Sequence, residues 1–244
     1  MSYASEVAAD SPLAWWRCDD SGGSSTFADS SGNSHPLNAG GSPTFGGGAA
    51  KPFIGGTSVA LNGSSQFGEA NTAATTWLGS LGDMSIEAWF KTSSSSNMTM
   101  LAVDNVGGTP GTTIRKFNFY IASGQVTWMC FTTSTGFPYA TSAASTYADG
   151  AWHHAVVTRT STTMLVYIDG SQVGSQTVSN TYTGTNATRL TFGCIDNNGF
   201  QNNYFNGSLD EVAVYGSTLS AGRVSAHYQA ALVDSGFTGW GQAI

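Results

Sequence analysis

Charge is scarce in this chain: Asp, Glu, Lys and Arg make up 9% of its 244 residues, against about 25% in ordinary soluble domains. The eight basic residues are scattered and the net charge is −7 with a pI near 4.7. Phosphate backbones are held by clustered Lys and Arg, so a nucleic-acid partner is disfavoured. Long apolar runs are missing too. Nothing approaches the roughly 18 apolar residues of a membrane span, and the opening MSYASEVAADSP has neither the basic start nor the apolar core of a leader peptide. The expectation is a chain with no membrane span and no standard export signal. Cysteine is sparse and odd in number. Cys18, Cys130 and Cys194 each lie in a strand-like run, which reads as buried free thiols rather than a disulfide framework, and no Cys-x-x-Cys pair offers a zinc site of that kind.

Glutamate is also rare. Only Glu6, Glu69, Glu87 and Glu211 occur, and no stretch places acids at alternate strand positions as the two carboxylates of a glycosidase require. The chain is therefore not expected to be an enzyme.

Abundant residues fill the picture. Gly reaches 31 residues, and Ser, Thr and Asn occupy the polar positions, so hydroxyls and amides carry solubility. Apolar residues alternate with polar ones: Ile86, Ala88 and Phe90 face one way in MSIEAWFK, and Glu87, Trp89 and Lys91 the other. Similar runs recur at PLAWWRC, TSVALNG, MTMLAV, RKFNFYI, QVTWMCFT, WHHAVVTR, TMLVYID, TRLTFGC and SLDEVAVY. Turn signals at Asn62-Gly63, Asp149-Gly150, Asp169-Gly170 and Asn206-Gly207 separate them. Ten or more short strands predict an antiparallel sandwich or barrel. Two segments read as helix, a turn around Tyr3 to Ala9 and AGRVSAHYQAAL after an N-cap at Ser220, the latter packing across the sandwich edge. The Gly-rich stretch 20 to 56 reads as a long surface loop, and one domain is expected.

Taken together, LNGSSQF (61–67), DMSIEAWFK (83–91), GAWHHAVVTR (150–159), LVYIDG (165–170) and FNGSLDEVAVYGSTLS (205–220) resemble the laminin G-like branch of the concanavalin A-like jelly rolls. The resemblance implies an all-β antiparallel jelly-roll β-sandwich with a short C-terminal helix, a laminin G-like domain over 1–233 and a tail over 234–244. It does not choose among sugar-binding modules, adhesion domains and enzyme appendages. The opening, MSYASEVAADSPLAWWRCDD, also looks like the starts of laminin G-like proteins in tailed-phage virions, which implies a virion or extracellular location.

The family often holds a structural calcium near the sheet edge. Asp29, Asn33 and Asp210 are the residues here that would supply its oxygens, although the first two serve equally as turn residues and Asp210 as an acceptor of backbone amides. Asp210 and Glu211 are neighbours on a strand, so their carboxyls are expected to diverge. For the same reason His153 and His154 are read as one core and one exposed imidazole, with no acidic partner nearby in sequence. The most ligand-like segment is DNNGFQNNYFNG. There Asn197, Asn198, Gln201 and Asn203 offer amides to sugar hydroxyls, and Phe200 and Tyr204 offer flat faces; the alternative is a hairpin whose aromatics close the core. Phe137, Tyr139 and Tyr147 form a second aromatic set.

Three functional readings follow. The first is a non-catalytic adhesion module contacting a glycan or cell-surface ligand, weak per site and acting in several copies. The second is a structural subunit docking on other virion or surface proteins, with Phe237 and Trp240 of the tail as anchors. The third is a glycan-cleaving enzyme, for which no motif is present.

Overall fold

The computed structural model describes residues 1–71, 77–78, 82–104, 115–130, 139–142, 146–178, 189–196 and 199–233. In chain order the elements are α1 (Tyr3–Ala9), β1 (Ala14–Trp16), β2 (Thr26–Phe27), β3 (Leu37–Gly40), β4 (Thr44–Gly48), β5 (Thr57–Asn62) and β6 (Phe67–Asn71). Next come β7 (Met84–Lys91), β8 (Met98–Asp104), β9 (Arg115–Ala122), β10 (Gln125–Cys130), β11 (Tyr139–Thr141), β12 (Trp152–Arg159) and β13 (Thr163–Ile168). The chain continues through β14 (Ser171–Thr177), β15 (Arg189–Phe192), β16 (Ile195–Asp196), β17 (Gln201–Asn202), β18 (Asn206–Tyr215) and α2 (Ala221–Leu232).

Two antiparallel sheets stack face to face. The first runs β14-β13-β12-β7-β18-β5-β4, with β1 also paired to β18; the second runs β11-β10-β9-β8-β15-β6-β3-β2. Between them lies the main core, where Ile86, Ala88 and Phe90 from β7 meet Phe117, Phe119 and Trp128 from the second sheet. The period-2 alternation is thus realised: Val212 and Val214 of β18 enter this core while Ala213 and Tyr215 face outward. Asp169 (φ 50°) and Gly170 (φ 78°) close the β13–β14 hairpin, the pair of positive φ angles that an Asp-Gly turn supplies. All three cysteines are free and buried. Among the described residues no helix is long and apolar enough to cross a membrane.

Four expectations are corrected. The stretch 20 to 56 is not one loop: it contributes β2, β3 and β4, whose Phe27, Leu37 and Phe45 reach the core. Such short, Gly-rich edge strands carry too few residues for a period to be seen. Asn206-Gly207 is no turn, because Asn206 starts β18 opposite Asn62. Nor does α2 cross the sandwich edge. It lies on the outer face of the first sheet beside α1, where Tyr3, Trp89, Val156, Ala213, Tyr215 and Val224 form a second apolar cluster. Accordingly β7 is not half-buried; only Lys91 among its eight residues is exposed.

Candidate functional site

One end of the sandwich carries two adjoining depressions, of about 380 and 320 Å3, which share Ser94 and Asn206 in their walls. The first is lined by Lys91, Thr92, Ser93, Gly150 and Ser208, the second by Ser96, Asn97, Gln201, Asn203 and Tyr204. β7 and β5 end here and β18 and β12 begin. The turns are cross-braced: Thr92 Oγ1 donates to Asn206 O at 2.7 Å, Gly150 N to Thr92 O at 2.9 Å and Thr99 N to Asn203 O at 2.9 Å. These bonds occupy the main chain. The amide side chains of Asn97, Gln201, Asn203 and Asn206 have no hydrogen-bond partner among the described residues, so they can donate and accept toward a ligand. Tyr204 packs its ring against Phe67 at 6.2 Å and remains partly exposed.

Of the residues expected to bind a ligand, Gln201, Asn203 and Tyr204 meet in this depression, while Phe200 is 77% exposed and lies outside its wall. Asn197 and Asn198 lie outside the described residues, as do Phe137, Phe237 and Trp240. Tyr139 is exposed on β11, whereas Tyr147 meets the ring of His153 edge-on at 5.2 Å. Sequence reasoning missed Lys91, Ser94 and Asn97, which come from the β7–β8 end of the sheets and share no local pattern with the flagged segment, and it read Asn206, inside that segment, as a turn residue.

Asp210 and Glu211 do not diverge. β18 bulges between Asp210 and Ala213 against β7, and Glu211 adopts φ 50°. The extra residue breaks the alternation and leaves both carboxyls on the outer face, each fully buried. Asp210 Oδ2 accepts from Ala50 N at 2.8 Å; Glu211 accepts from Trp15 Nε1 at 2.5 Å and Arg17 Nε at 3.1 Å. Burial, then the Glu211 charge, pushes Asp210 up to about 9. Burial likewise raises Glu211 to about 8, against the pull of Arg17 and Trp15. Arg17 bonds Glu211 directly and draws its pKa down, so the upward push is the stronger on Asp210. Both are sealed beneath Trp15, Arg17 and residue 50, so they bond to framework and not to a substrate.

Asp29, Asn33 and Asp210 do not converge on one ion. The Asp29 carboxylate accepts from the N–H groups of Trp15, Ser31 and His35 and from the Ser31 hydroxyl. Burial opposes its charge, but these bonds hold its pKa below the usual value. Asn33 Nδ2 donates to Pro12 O and Leu13 O. Strand β1 separates this loop, bridged at Trp16, from β18 and its Asp210. No group of three His, Cys, Asp or Glu among the described residues is placed to hold a metal. The set does not fit calcium, which needs six to eight converging oxygens.

Glu87, central on the outer face of the first sheet, is fully buried and has four side-chain partners. Its Oε1 accepts from Tyr3 Oη and faces His154 Nε2 at 3.1 Å; its Oε2 accepts from Tyr215 Oη at 2.9 Å and faces His227 Nδ1 at 2.8 Å. His227 Nε2 in turn meets Asp10 Oδ2 at 2.9 Å, and Arg223 Nε reaches the same oxygen at 2.8 Å. Burial opposes the Glu87 charge, yet His227 and the hydrogen bonds of both histidines hold its pKa well below the carboxylate range. The exposed reading of His153 is also corrected. It is half-buried between Asp169 (2.8 Å) and Asp149 (3.2 Å), and the Asp169 hydrogen bond raises its pKa.

No curated protein sequence matches the chain. Solved structures share its fold at low identity. The binding domain of botulinum neurotoxin DC in complex with SialylT is 14% identical with a TM-score of 0.63, over 91% of this chain and 52% of that one. The same domain with rat synaptotagmin II is 16% identical with a TM-score of 0.62, over 90% and 51%. A structure of botulinum neurotoxin type C, which enters cells by interaction with two ganglioside molecules, is 15% identical with a TM-score of 0.66, over 94% and 53%. The chain thus spans about half the length of these structures. A family model for laminin G-like domains matches residues 62–225, which include most strands of both sheets and the first turn of α2. With the motifs and the stacked sheets, this match identifies the chain as a member of the concanavalin A-like lectin/glucanase superfamily, in its laminin G-like branch.

Proposed function

We propose that the protein is a non-catalytic binding module that contacts a glycan through the paired depressions between Lys91 and Tyr204. The observation that carries this reading is the wall itself. Four side-chain amides without partners among the described residues, the hydroxyls of Ser94 and Ser208 and the partly exposed ring of Tyr204 stand on a braced backbone. Amides and hydroxyls pair with sugar hydroxyls, and an aromatic face accepts the apolar side of a sugar ring. The SialylT complex and the ganglioside dependence of the neurotoxin structures support carbohydrate as the ligand class.

A glycosidase reading has little support, since the paired acids Asp210 and Glu211 are buried under framework residues. The module would act on a virion or cell surface, with residues 1–233 as one domain and several copies compensating for weak single-site affinity. Purified protein on a glycan array tests the reading. Asn203→Ala and Tyr204→Ala are expected to lower binding about tenfold each, at about 1 to 2 kcal/mol per lost contact, with unchanged melting temperature. Equal binding by these variants and the parent would refute the site, and absence of any glycan binding would refute the function.

A further inference from the structure

We infer that the preferred ligand of this depression is a sugar bearing a carboxylate, which Lys91 holds; this rests on the glycan reading and narrows it. Cations are few, eight Lys and Arg against fifteen Asp and Glu, and most of those described are committed. Arg17 pairs with Glu211, Arg189 with Glu69 and Asp196, and Arg223 with Glu6 and Asp10. Arg159 is buried, and Lys51 sits over the ring of Trp89 at 5.6 Å. Lys91 alone among the described cations is exposed in the wall of a depression, with no ion-pair partner among the described residues.

Its surroundings suit one negative charge on an otherwise neutral ligand. Thr92, Ser93, Ser94, Asn206 and Ser208 share the wall. Half-buried Trp152 stands opposite Lys91 across the β7–β12 pair. The acid nearest in sequence to this wall, Asp149, already accepts from Ala151 N at 2.7 Å and contacts His153 at 3.2 Å. A charge-assisted hydrogen bond from Lys91 to a carboxylate is stronger than one to a neutral hydroxyl. A densely sulfated polymer is disfavoured, because one cation cannot neutralise it and a net charge of −7 repels it.

The test presents sialylated and uronate-bearing oligosaccharides, each beside its carboxyl-reduced neutral counterpart, together with a densely sulfated polysaccharide. Parent, Lys91→Gln and Lys91→Arg are compared at low and high salt. The expected result is a preference of about tenfold or more for at least one acidic sugar over its reduced form. It should disappear in Lys91→Gln, largely persist in Lys91→Arg and weaken with salt. Which acidic sugar binds distinguishes sialate from uronate. Equal affinity for acidic and neutral forms, or no effect of Lys91→Gln, would overturn the inference while leaving the glycan reading standing. Strongest binding to the sulfated polymer would also overturn it, and no glycan binding at all would remove both.

Discussion

At the scale of single residues, Glu87 shows how much one buried charge can organise. Its two oxygens meet two tyrosine hydroxyls and two imidazoles, and through His227 they reach Asp10 and Arg223. A charge moved from water into such a place is costly unless every lone pair is met, and here each oxygen has two partners. Glu87→Ala would strand both tyrosines and leave His227 with one carboxylate. The expected loss is about 3 to 5 kcal/mol of unfolding free energy, measured by urea titration. A loss under about 1 kcal/mol would show that the network is ornamental. The sequence placed Glu87 on the correct strand face, but its partners come from positions 3, 154, 215 and 227, and no local spacing joins them. Glu211 was misread for a related reason. Nothing in LDEVAVY announces a bulge at a non-Gly residue, so alternation was applied where the backbone breaks it.

At the scale of elements, the outer face of the first sheet is covered by two helices that the sequence located well. Ser220 stands at the N-cap of α2 and its hydroxyl accepts from Arg223 N at 3.3 Å. Ser220→Ala is expected to cost about 1 kcal/mol, seen as a lower urea midpoint with an unchanged slope. Their docking site was not legible, because an amphipathic helix declares that it has a buried face and not which surface buries it. The edge strands teach the same lesson. Gly174 of β14 approaches β11 so closely that an added Cβ would lie 2.1 Å from Thr141 O. Gly174→Ala must therefore push the two sheet edges apart, with an expected loss of about 1 to 3 kcal/mol, again read by urea titration. A neutral result would mean that the edges part without penalty.

At the scale of the whole molecule, the buried ionisable groups give stability a sign with pH. Asp210 and Glu211 are raised to about 9 and about 8, so the folded state holds protons that the unfolded chain has released above about pH 4. Their contribution falls as pH rises toward those values. His227, raised by Glu87 and Asp10 despite burial, acts in the same direction: its stabilisation is complete below about pH 6.5 and is lost as pH rises through its folded value. Glu87 is lowered, so its contribution is present above about pH 4.3 and disappears as pH falls through its folded value. Stability should therefore peak in mild acid and decline toward pH 9, and Asp210→Asn should flatten the decline. Urea midpoints measured from pH 4 to 9 that rose toward the alkaline end would contradict this account. The sequence by itself determined the longer strands, the two helices, the family and the poverty of charge, because period, turn residues and composition are local quantities, whereas the short Gly-rich strands β2, β3 and β4 carry no visible period. Only the tertiary structure decided which polar side chains face one another. The depression from Lys91 to Tyr204, the Glu87 hub and the shared face of Asp210 and Glu211 join residues distant in sequence or turned by a bulge, and sheet register together with the docking of the two helices sets such meetings.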